Sequence, residues 1–252
     1  MKDFLNWLNK EKLEASFYNL ITGQYEPISN TVVSSSVRDL MFTGGRGASN
    51  LLDLPEDFNS SFPQINSLDF SQVTTTVNSL DALAGCKSLS TLRFAYMSPV
   101  ALDDITKIRG LRNLHLIDTL IVTRENLAPL VVNAIRKMEN LSEVEIVSWS
   151  IESGFKDLKT LNGRHYDLFS LDLVDPENVE QGITELTELD FVTELNLYML
   201  SDYVTDISFI TKMKGIKSVK LDRFFIVSEE IRSELDRKKV SIEILNEQQI
   251  AD

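Results

Sequence analysis

An apolar triplet recurs along most of the chain, with its members at relative positions 1, 4 and 6. Leu111, Leu114 and Leu116 form one copy. The other copies are Val37/Leu40/Phe42, Ile65/Leu68/Phe70, Leu89/Leu92/Phe94, Leu141/Val144/Ile146, Leu168/Leu171/Leu173, Val192/Leu195/Leu197, Ile216/Val219/Leu221 and the partial Ile242/Ile244. Successive middle residues are 28, 24, 22, 30, 27, 24, 24 and 23 residues apart. A repeat of this length constrains the fold strongly, because each unit must stack on the next.

The spacing within each triplet is that of a short strand. Positions 4 and 6 alternate along a strand, so both side chains point to the same buried face. One such unit buries little apolar surface alone, and stacked neighbours share a continuous core. Between the triplets lie looped or helical segments, and residues 126–138 carry apolar residues at helical spacing. We therefore predict parallel strands that alternate with helices and loops.

The gaps between copies lie close to the ~20–29 residues of leucine-rich repeats. From about Val33 to Ile244 the chain resembles an irregular, bacterial-type leucine-rich-repeat protein, and Leu54-Pro55 and Phe62-Pro63 resemble the Leu-Pro segments of bacterial members. The resemblance implies an α/β fold, a leucine-rich-repeat solenoid (horseshoe). Its parallel sheet would be concave, with helices and loops on the convex side. About nine strands, roughly 4.8 Å apart, would form a sheet roughly 40 Å long.

The turn after each strand departs from the family pattern. Leucine-rich repeats usually place Asn or Cys three residues after position 6, where its side chain satisfies backbone groups of the turn. This chain has other residues there, namely Gly45, Val73, Met97, Thr119, Trp149, Pro176, Leu200 and Phe224. We expect the turns to close differently, with large apolar residues filling the corner.

Two regions follow from the extent of the repeat. Residues 1–30 do not join it, and we predict that they form an N-terminal cap over the open end of the core, while 31–252 form the solenoid. A separate partner-binding helix is the alternative for the first region. Charges interrupt the N-terminus every few residues, so the ~7–15 apolar residues of a secretory signal are absent. No window approaches the ~18 apolar residues of a membrane span. We therefore expect a cytoplasmic protein.

The charge balance limits the class of partner. Lys and Arg number 25 and Asp and Glu number 38, which gives a formal net charge of −13. This charge repels nucleic-acid backbones and anionic membranes, so we expect neither as partner. It favours a basic protein. The single Cys86 excludes an internal disulfide, and two histidines leave little material for a metal cluster, so we expect no metal and no cofactor.

Three sequence features bear on catalysis, and each has a simpler structural interpretation. The glycine-rich stretch 44–49 lacks the Lys and Ser/Thr of a phosphate-binding loop. Cys86 and His115 lie one repeat apart, but Cys86 falls in a turn while His115 projects from a strand. Adjacent carboxylates such as Asp103-Asp104 do not face each other on a helix. We expect no catalytic residue, and an enzyme with an unrecognised site remains the alternative.

The outward strand positions give the candidate binding surface. Glu143, Glu145, Asp172 and Glu194 stand on three consecutive predicted strands, so like charges would lie side by side and reduce stability. A basic partner would relieve that repulsion. The predicted partner-binding residues are Asp69, Arg93, His115, Glu143, Glu145, Asp172, Glu194, Asn196, Tyr198 and Asp222. A site on the loops, the edges or the convex face is the alternative.

The sequence therefore predicts a non-enzymatic protein-binding module. Small, acidic, cytoplasmic bacterial proteins that resemble this one often act as an immunity protein or antitoxin, which binds and neutralises a basic toxin. The alternative is a bacterial effector or adaptor that binds a host or cellular protein through its concave face. Both functions are analogies from the fold, because a fold does not fix a function.

Overall fold

A computed structural model describes residues 1–29, 32, 34–45, 51–117, 128–150, 154–174, 179–197, 204 and 206–245. The chain forms two compact units. The first unit contains residues 1–121 and 133–141, and the second contains residues 122–132 and 142–252.

The first unit is built around six sheet strands. Its helices are α1 (Lys2–Glu11), α2 (Phe58–Ser61) and α3 (Pro99–Ile105). Its strands are β1 (Leu13–Asn19), β2 (Gln24–Pro27), β3 (Asp39–Gly44), β4 (Leu51–Asp53), β5 (Ser67–Val73), β6 (Thr76–Ser79), β7 (Thr91–Phe94) and β8 (Asn113–Leu116). The sheet order is β2-β1-β3-β5-β7-β8, and β4 and β6 form a separate parallel pair.

The second unit contains five sheet strands that pair in parallel. These are β9 (Glu143–Ser150), β10 (Leu168–Val174), β11 (Glu194–Leu197), β12 (Ser218–Asp222) and β13 (Ser241–Leu245), paired in that order. The remaining α-helices are α4 (Ala128–Lys137), whose residues are divided between the two units, α5 (Val179–Leu186) and α6 (Glu229–Arg237). Short 3₁₀ helices span Ser34–Ser36, Asp81–Leu83, Leu158–Leu161 and Ser208–Lys212.

The repeat strands pair in parallel, and the middle residues of the triplets lie side by side. In the first unit Leu40, Leu68, Leu92 and Leu114 are register neighbours. In the second unit Leu171, Leu195, Val219 and Ile242 are register neighbours. The predicted α/β fold of stacked parallel strands is therefore confirmed, because the stacking follows the sequence period.

Phenylalanines at position 6 form a stack through the core of the first unit. The rings of Phe42 and Phe70 lie 4.7 Å apart and those of Phe70 and Phe94 lie 5.3 Å apart, in nearly parallel planes. The stack exists because neighbouring strands place equivalent side chains directly opposite one another. Phe4 of α1 packs edge-on against Phe42 and against Phe62.

Between β9 and β10 the register differs from the sequence prediction by two residues. The triplets place Val144 beside Leu171, but Val144 pairs with Phe169, and Ile146 pairs with Leu171. Tyr166, Phe169 and Leu171 have the same 1-4-6 spacing and are all buried, and Tyr166 and Phe169 are larger than the leucines chosen from the sequence. The bigger apolar side chains take the core positions, and the register follows them.

A β-bulge follows this register in β9. Ile146 pairs with Leu171 and Trp149 pairs with Leu173, so two residues of β9 face the single Asp172 of β10. Trp149 is completely buried, and its indole Nε1 donates to the Gly154 carbonyl oxygen at 3.2 Å. The bulge thus lets β9 bring Trp149 into the core after the register has shifted.

Main-chain hydrogen bonds link the turns that lead into successive strands. The carbonyl oxygen of Asn66 accepts from the amides of Ser90 and Thr91, and Arg38 and Ser90 accept in the same way one repeat away. In the second unit the Thr193 carbonyl accepts from Lys217 and Ser218. The repeats are therefore joined at these turns by backbone atoms.

Four described corner positions hold a large apolar residue, and the expectation that this residue fills the corner is confirmed at three of them and wrong at one. Gly45, the other described corner position, has no side chain to fill it. Val73, Met97 and Trp149 are buried. Phe224 is 63% exposed, and the next residue, Phe225, is buried in its place. Asp222 accepts a hydrogen bond from the Phe224 amide, which turns the chain so that the second phenylalanine faces inward. Thr119, Pro176 and Leu200 lie outside the described residues.

The N-terminal segment contributes both a helix and two strands. Phe4 and Leu8 of α1 are buried. β1 pairs antiparallel with β3, and β2 pairs antiparallel with β1. Residues 13–27 therefore lengthen the sheet of the first unit, although they lack the repeat. Across the described ranges, no helix is both long and apolar enough to cross a lipid bilayer.

Candidate functional site

The outward face of the first unit carries three of the predicted binding residues in one row. Met41, Asp69, Arg93 and His115 are successive register neighbours on β3, β5, β7 and β8. Arg93 Nη1 lies 3.9 Å from Asp69 Oδ2, and 42% of the Arg93 side chain is exposed. The long distance and the exposure make this a weak ion pair, so the guanidinium is available to a partner.

Two tyrosines of the β1–β2 hairpin extend this surface. Tyr18 and Tyr25 are register neighbours, and their rings lie 5.4 Å apart in an edge-to-face arrangement. They are 37% and 49% exposed. Partial burial raises the pKa of Tyr25, and the carboxylates of Asp39 and Asp69 raise it further. Tyr25 therefore lies in the electrostatic field of Asp69, which belongs to this row, and of Asp39 on β3.

Sequence reasoning missed Tyr18 and Tyr25, because the first thirty residues were assigned to a cap. A signal for them exists in the sequence. Leu13 and Ala15 are buried while Glu14 is exposed, which is the alternation of a strand with one face outward. The turn at Gly23, where φ is +68°, then marks a hairpin.

In the second unit, the first outward row alternates carboxylates with hydroxyls. Glu145, Ser170, Glu194 and Ser218 are successive register neighbours. The hydroxyls of Ser170 and Ser218 each donate to Glu194 at 3.0 Å, and Lys220 Nζ lies 3.0 Å from Glu194 Oε1. The Glu194 carboxylate is thus satisfied within the unit by two hydroxyls and one ammonium group.

This arrangement changes which acidic residues are direct register neighbours. The sequence register places Glu145 opposite Asp172, whereas the structure pairs Glu145 with Ser170. Serine hydroxyls separate the carboxylates of Glu145 and Glu194, and Lys220 neutralises the latter. The cause is the two-residue register shift between β9 and β10, which moves the β9 carboxylates by one outward position.

The second outward row joins Asp172, Asn196 and Lys220. Nδ2 of Asn196 donates to Oδ1 of Asp172 and to the Ser170 hydroxyl, the latter at 3.2 Å. Burial raises the pKa of Asp172 to about 7, and the hydrogen bond from Asn196 opposes that shift while the charge of Glu145 adds to it. Asp172 therefore changes its charge near neutral pH.

The remaining predicted residues differ in their exposure. Glu143 and His115 are half-buried. Asn196 and Asp222 are each only 3% exposed, so neither offers a free surface group. Within the described part of the chain, Asn196 Oδ1 and Asp222 Oδ2 are buried atoms that accept no hydrogen bond. Tyr198 lies outside the described residues.

The features considered for catalysis are not assembled into a reactive site. Cys86 is buried, and burial raises the pKa of its thiol to about 11, so at neutral pH it is the weakly nucleophilic protonated form. His115 points outward from β8, while Cys86 lies in the turn before β7. Of the glycine-rich stretch, Gly44 and Gly45 are described and residues 46–49 are not. No group of three metal-ligating side chains is found in the ranges that the structure describes.

No family model matches the chain, and no curated protein matches it. Among solved structures, it is similar to the crystal structure of an internalin from Listeria monocytogenes. The two share 14% sequence identity with a TM-score of 0.37, over 87% of this chain and 61% of the internalin chain. The chain spans about three fifths of the length of that structure.

Proposed function

We propose that this protein is a non-enzymatic binding module that recognises another protein through the outward faces of its sheets. The observation that carries the proposal is the placement of recognition side chains on paired strands. Tyr18, Tyr25 and Arg93 are partly exposed on one such face, and tyrosine and arginine are enriched at binding hot spots. Because strands hold these groups in place, little entropy is lost on contact.

The charge supports a basic partner. The net charge is −13, and the half-buried Glu143 and Glu145 lie on the outward face of β9. Such a field accelerates encounter with a basic protein, about 10–10³-fold at low ionic strength. The finer proposal is an immunity protein or antitoxin that covers and neutralises a basic toxin in the cytoplasm. It rests on the acidity of the chain and on the rigid binding faces.

Affinity capture with variants of each face tests the binding proposal. The wild-type protein would be immobilised, incubated with native lysate and washed at low and high salt. The retained proteins would then be identified by mass spectrometry. The test variants are Tyr18→Ala/Tyr25→Ala in the first unit and Glu143→Lys/Glu145→Lys in the second. The matched control is Glu230→Lys/Asp236→Lys, which makes the same charge change at exposed positions of α6.

We expect one basic protein that is lost with a face variant and kept by the α6 control. For that protein, each face variant in contact with it should weaken the complex by about 1–4 kcal/mol. Equal retention by all variants would refute binding through the sheet faces. Expressing the captured protein in cells, alone and together with this protein, tests the finer proposal. A captured protein that is lethal alone and harmless in the presence of this protein supports the immunity function. A non-toxic partner would instead favour an effector or adaptor.

A further inference from the structure

Two tyrosine rings stand partly exposed on the outward face of the first unit. Tyr18 and Tyr25 are 37% and 49% exposed, and their rings meet edge to face with the centroids 5.4 Å apart. An edge-to-face contact uses the edge of one ring and one face of the other, so ring faces remain on the open side of the pair. The negative face of a tyrosine ring attracts a cation that comes within about 6 Å of its centre.

A carboxylate lies next to this pair of rings. The antiparallel register between β1 and β3 ends at Phe17 and Leu40, and one step further along both strands places Tyr18 opposite Asp39. Leu40 is buried, so its neighbour Asp39 points to the outward face. Tyr18 in turn pairs with Tyr25. Asp39, Tyr18 and Tyr25 therefore form one outward row across β3, β1 and β2.

Among the described residues, the Asp39 carboxylate has no close cationic partner. Asp39 is half-buried, and no ion pair or side-chain hydrogen bond joins it to another residue that the structure describes. Arg38 precedes it, but that guanidinium donates to the carbonyl and side-chain oxygens of Gln64. Burial raises the pKa of Asp39, and the charge of Arg38 only opposes this shift. A further cation beside Asp39 would stabilise its ionised form.

A second carboxylate makes the surroundings of the rings more negative. Asp39 and Asp69 both raise the pKa of Tyr25, and each has a larger effect than Arg93, which lowers it. Arg93 is the ion-pair partner of Asp69, at 3.9 Å. The net field at Tyr25 is therefore negative, so a cation at the rings is favoured by the carboxylates as well as by the ring faces.

Hydrogen bonds within the hairpin hold the two rings in place. Glu26 Oε1 accepts from the side-chain amide of Asn19 at 2.8 Å and from the Thr22 hydroxyl at 2.9 Å. The Gly23 amide donates to the Asn19 carbonyl oxygen at 2.8 Å and closes the turn. A partner that binds here meets a surface that is already ordered, which lowers the entropic cost of association.

We propose that Tyr18, Tyr25 and Asp39 form a lysine site, which takes one lysine side chain of the bound partner. The ammonium group is a compact charge on a flexible four-carbon stem, so it can contact a ring face and the half-buried carboxylate together. A guanidinium group is planar and stacks on one ring, so we expect arginine to fit less well. This inference rests on the proposed protein-binding function and names the chemistry of one contact within it.

A titration with a lysine analogue tests the site in the full chain. N-acetyl-lysine amide, isotopically labelled at its ε carbon, would be titrated near neutral pH and followed by NMR. N-acetyl-norleucine amide, which has the same stem without the ammonium group, is the matched ligand control. We expect the ε-methylene protons of lysine to shift upfield, because aromatic rings shield protons above their faces. The norleucine compound should bind at least about tenfold more weakly.

Two variants separate the rings from the carboxylate. Tyr18→Leu/Tyr25→Leu keeps apolar side chains without ring faces, so it should remove the upfield shift and reduce the affinity about tenfold. Asp39→Asn keeps the size of the side chain and should reduce the affinity about fivefold, while the upfield shift at saturation stays.

Glu14→Gln is the matched charge control. It removes one carboxylate from the outward face of β1, four residues from Tyr18 and thus about 13 Å away along the strand. Because this distance exceeds the screening length, the affinity should change less than about twofold. The comparison of the lysine and norleucine compounds uses the unaltered protein, so the test survives poor folding of a variant.

Equal binding of the lysine and norleucine compounds, or saturation without an upfield shift, would overturn the lysine site. Wild-type affinity in Asp39→Asn would overturn the role of the carboxylate in it. Tighter binding of N-acetyl-arginine amide than of the lysine compound would overturn the choice of lysine.

The affinity capture described above is independent of this titration. Capture of a partner together with failure of the lysine titration would remove the lysine site and leave the binding proposal intact. A positive titration without a captured partner would support the lysine site and count against the binding proposal.

Discussion

The outward faces of the two units show what one strand scaffold does with different side chains. The face of the first unit presents aromatic side chains beside an ion pair, with Tyr18, Tyr25 and Arg93 partly exposed. The face of the second unit is acidic, and its carboxylates are bonded to hydroxyls, an amide and an ammonium group, as at Glu194 and Asp172. The first face resembles a contact surface, while the second resembles a prearranged polar network.

The comparison shows that the inward and the outward side chains of such a repeat can vary independently of each other. The inward positions of both units hold large apolar residues in register, and the stacking they impose is the same. The outward positions are free of that constraint, so they carry whatever chemistry recognition needs. The following predictions test this separation, first at the cores and then at the faces.

The largest expected effects are in the cores, which should be alike in the two units. Phe70→Ala in the first unit and Phe169→Ala in the second should each lower the free energy of unfolding by about 3–5 kcal/mol, because both rings are fully buried in aromatic contacts. Urea denaturation measures this. The control Phe224→Ala, at a 63% exposed ring, should cost under about 0.5 kcal/mol. If only one of the two buried-ring variants lowered the free energy of unfolding by this amount, the cores of the two units would not be alike.

A smaller effect of opposite sign is expected from the polar network of the second unit. Burial raises the pKa of Asp172 from 3.8 to about 7, so between these values the folded state holds the proton more tightly than the unfolded state. The free energy of unfolding therefore falls as the pH rises through this window. Above pH 7 it stays lower by the full cost of burying the ionised carboxylate. Asp172→Asn should then stabilise the fold at pH 8 by about 1–3 kcal/mol, after allowance for solvent screening.

Urea denaturation at pH 4 and pH 8 checks this prediction, because the gain should nearly vanish at pH 4. Asp69→Asn makes the same chemical change on the face of the first unit. It should alter stability by less than about 0.5 kcal/mol at either pH, since the ion pair of Asp69 with Arg93 is long, at 3.9 Å, and partly exposed. A gain at pH 8 that persists at pH 4 would show that ionisation of Asp172 is not its source.

The smallest effects separate the ion pairs of the two faces. Lys220→Met removes a contact of 3.0 Å to a mostly buried carboxylate and should cost about 1 kcal/mol. Arg93→Met removes a contact of 3.9 Å between partly exposed groups and should cost under about 0.5 kcal/mol. Thermal unfolding at low and high salt compares the two variants. Equal losses would show that both faces hold their charges in the same way.

The sequence predicts the repeat strands well, because their period depends only on apolar spacing. Leu92 beside Leu114 and Leu171 beside Leu195 follow directly from it. The register between β9 and β10 could not be chosen, since Leu168/Leu171/Leu173 and Tyr166/Phe169/Leu171 satisfy the same spacing. Only the volume of the side chains that fit the core decides between them.

The binding face is less predictable than the strands. The outward direction of Asp69, Arg93 and Asp172 follows from alternation, but their partners lie about 24 residues away on other strands. The burial of Asn196 and the satisfaction of Glu194 depend on those neighbours, so no local pattern reveals them. The outward tyrosines of the hairpin are absent from the prediction because their segment does not share the period.

The main-chain bonds between turns have a consequence for how this protein can vary. At Asn66, Ser90 and Thr193 the next repeat is held by a carbonyl oxygen, an atom that every amino acid possesses. Substitution at such a position leaves that bond in place. These turns can therefore change in amino-acid composition during evolution while the strands stay paired. Related proteins would then share little sequence at these positions.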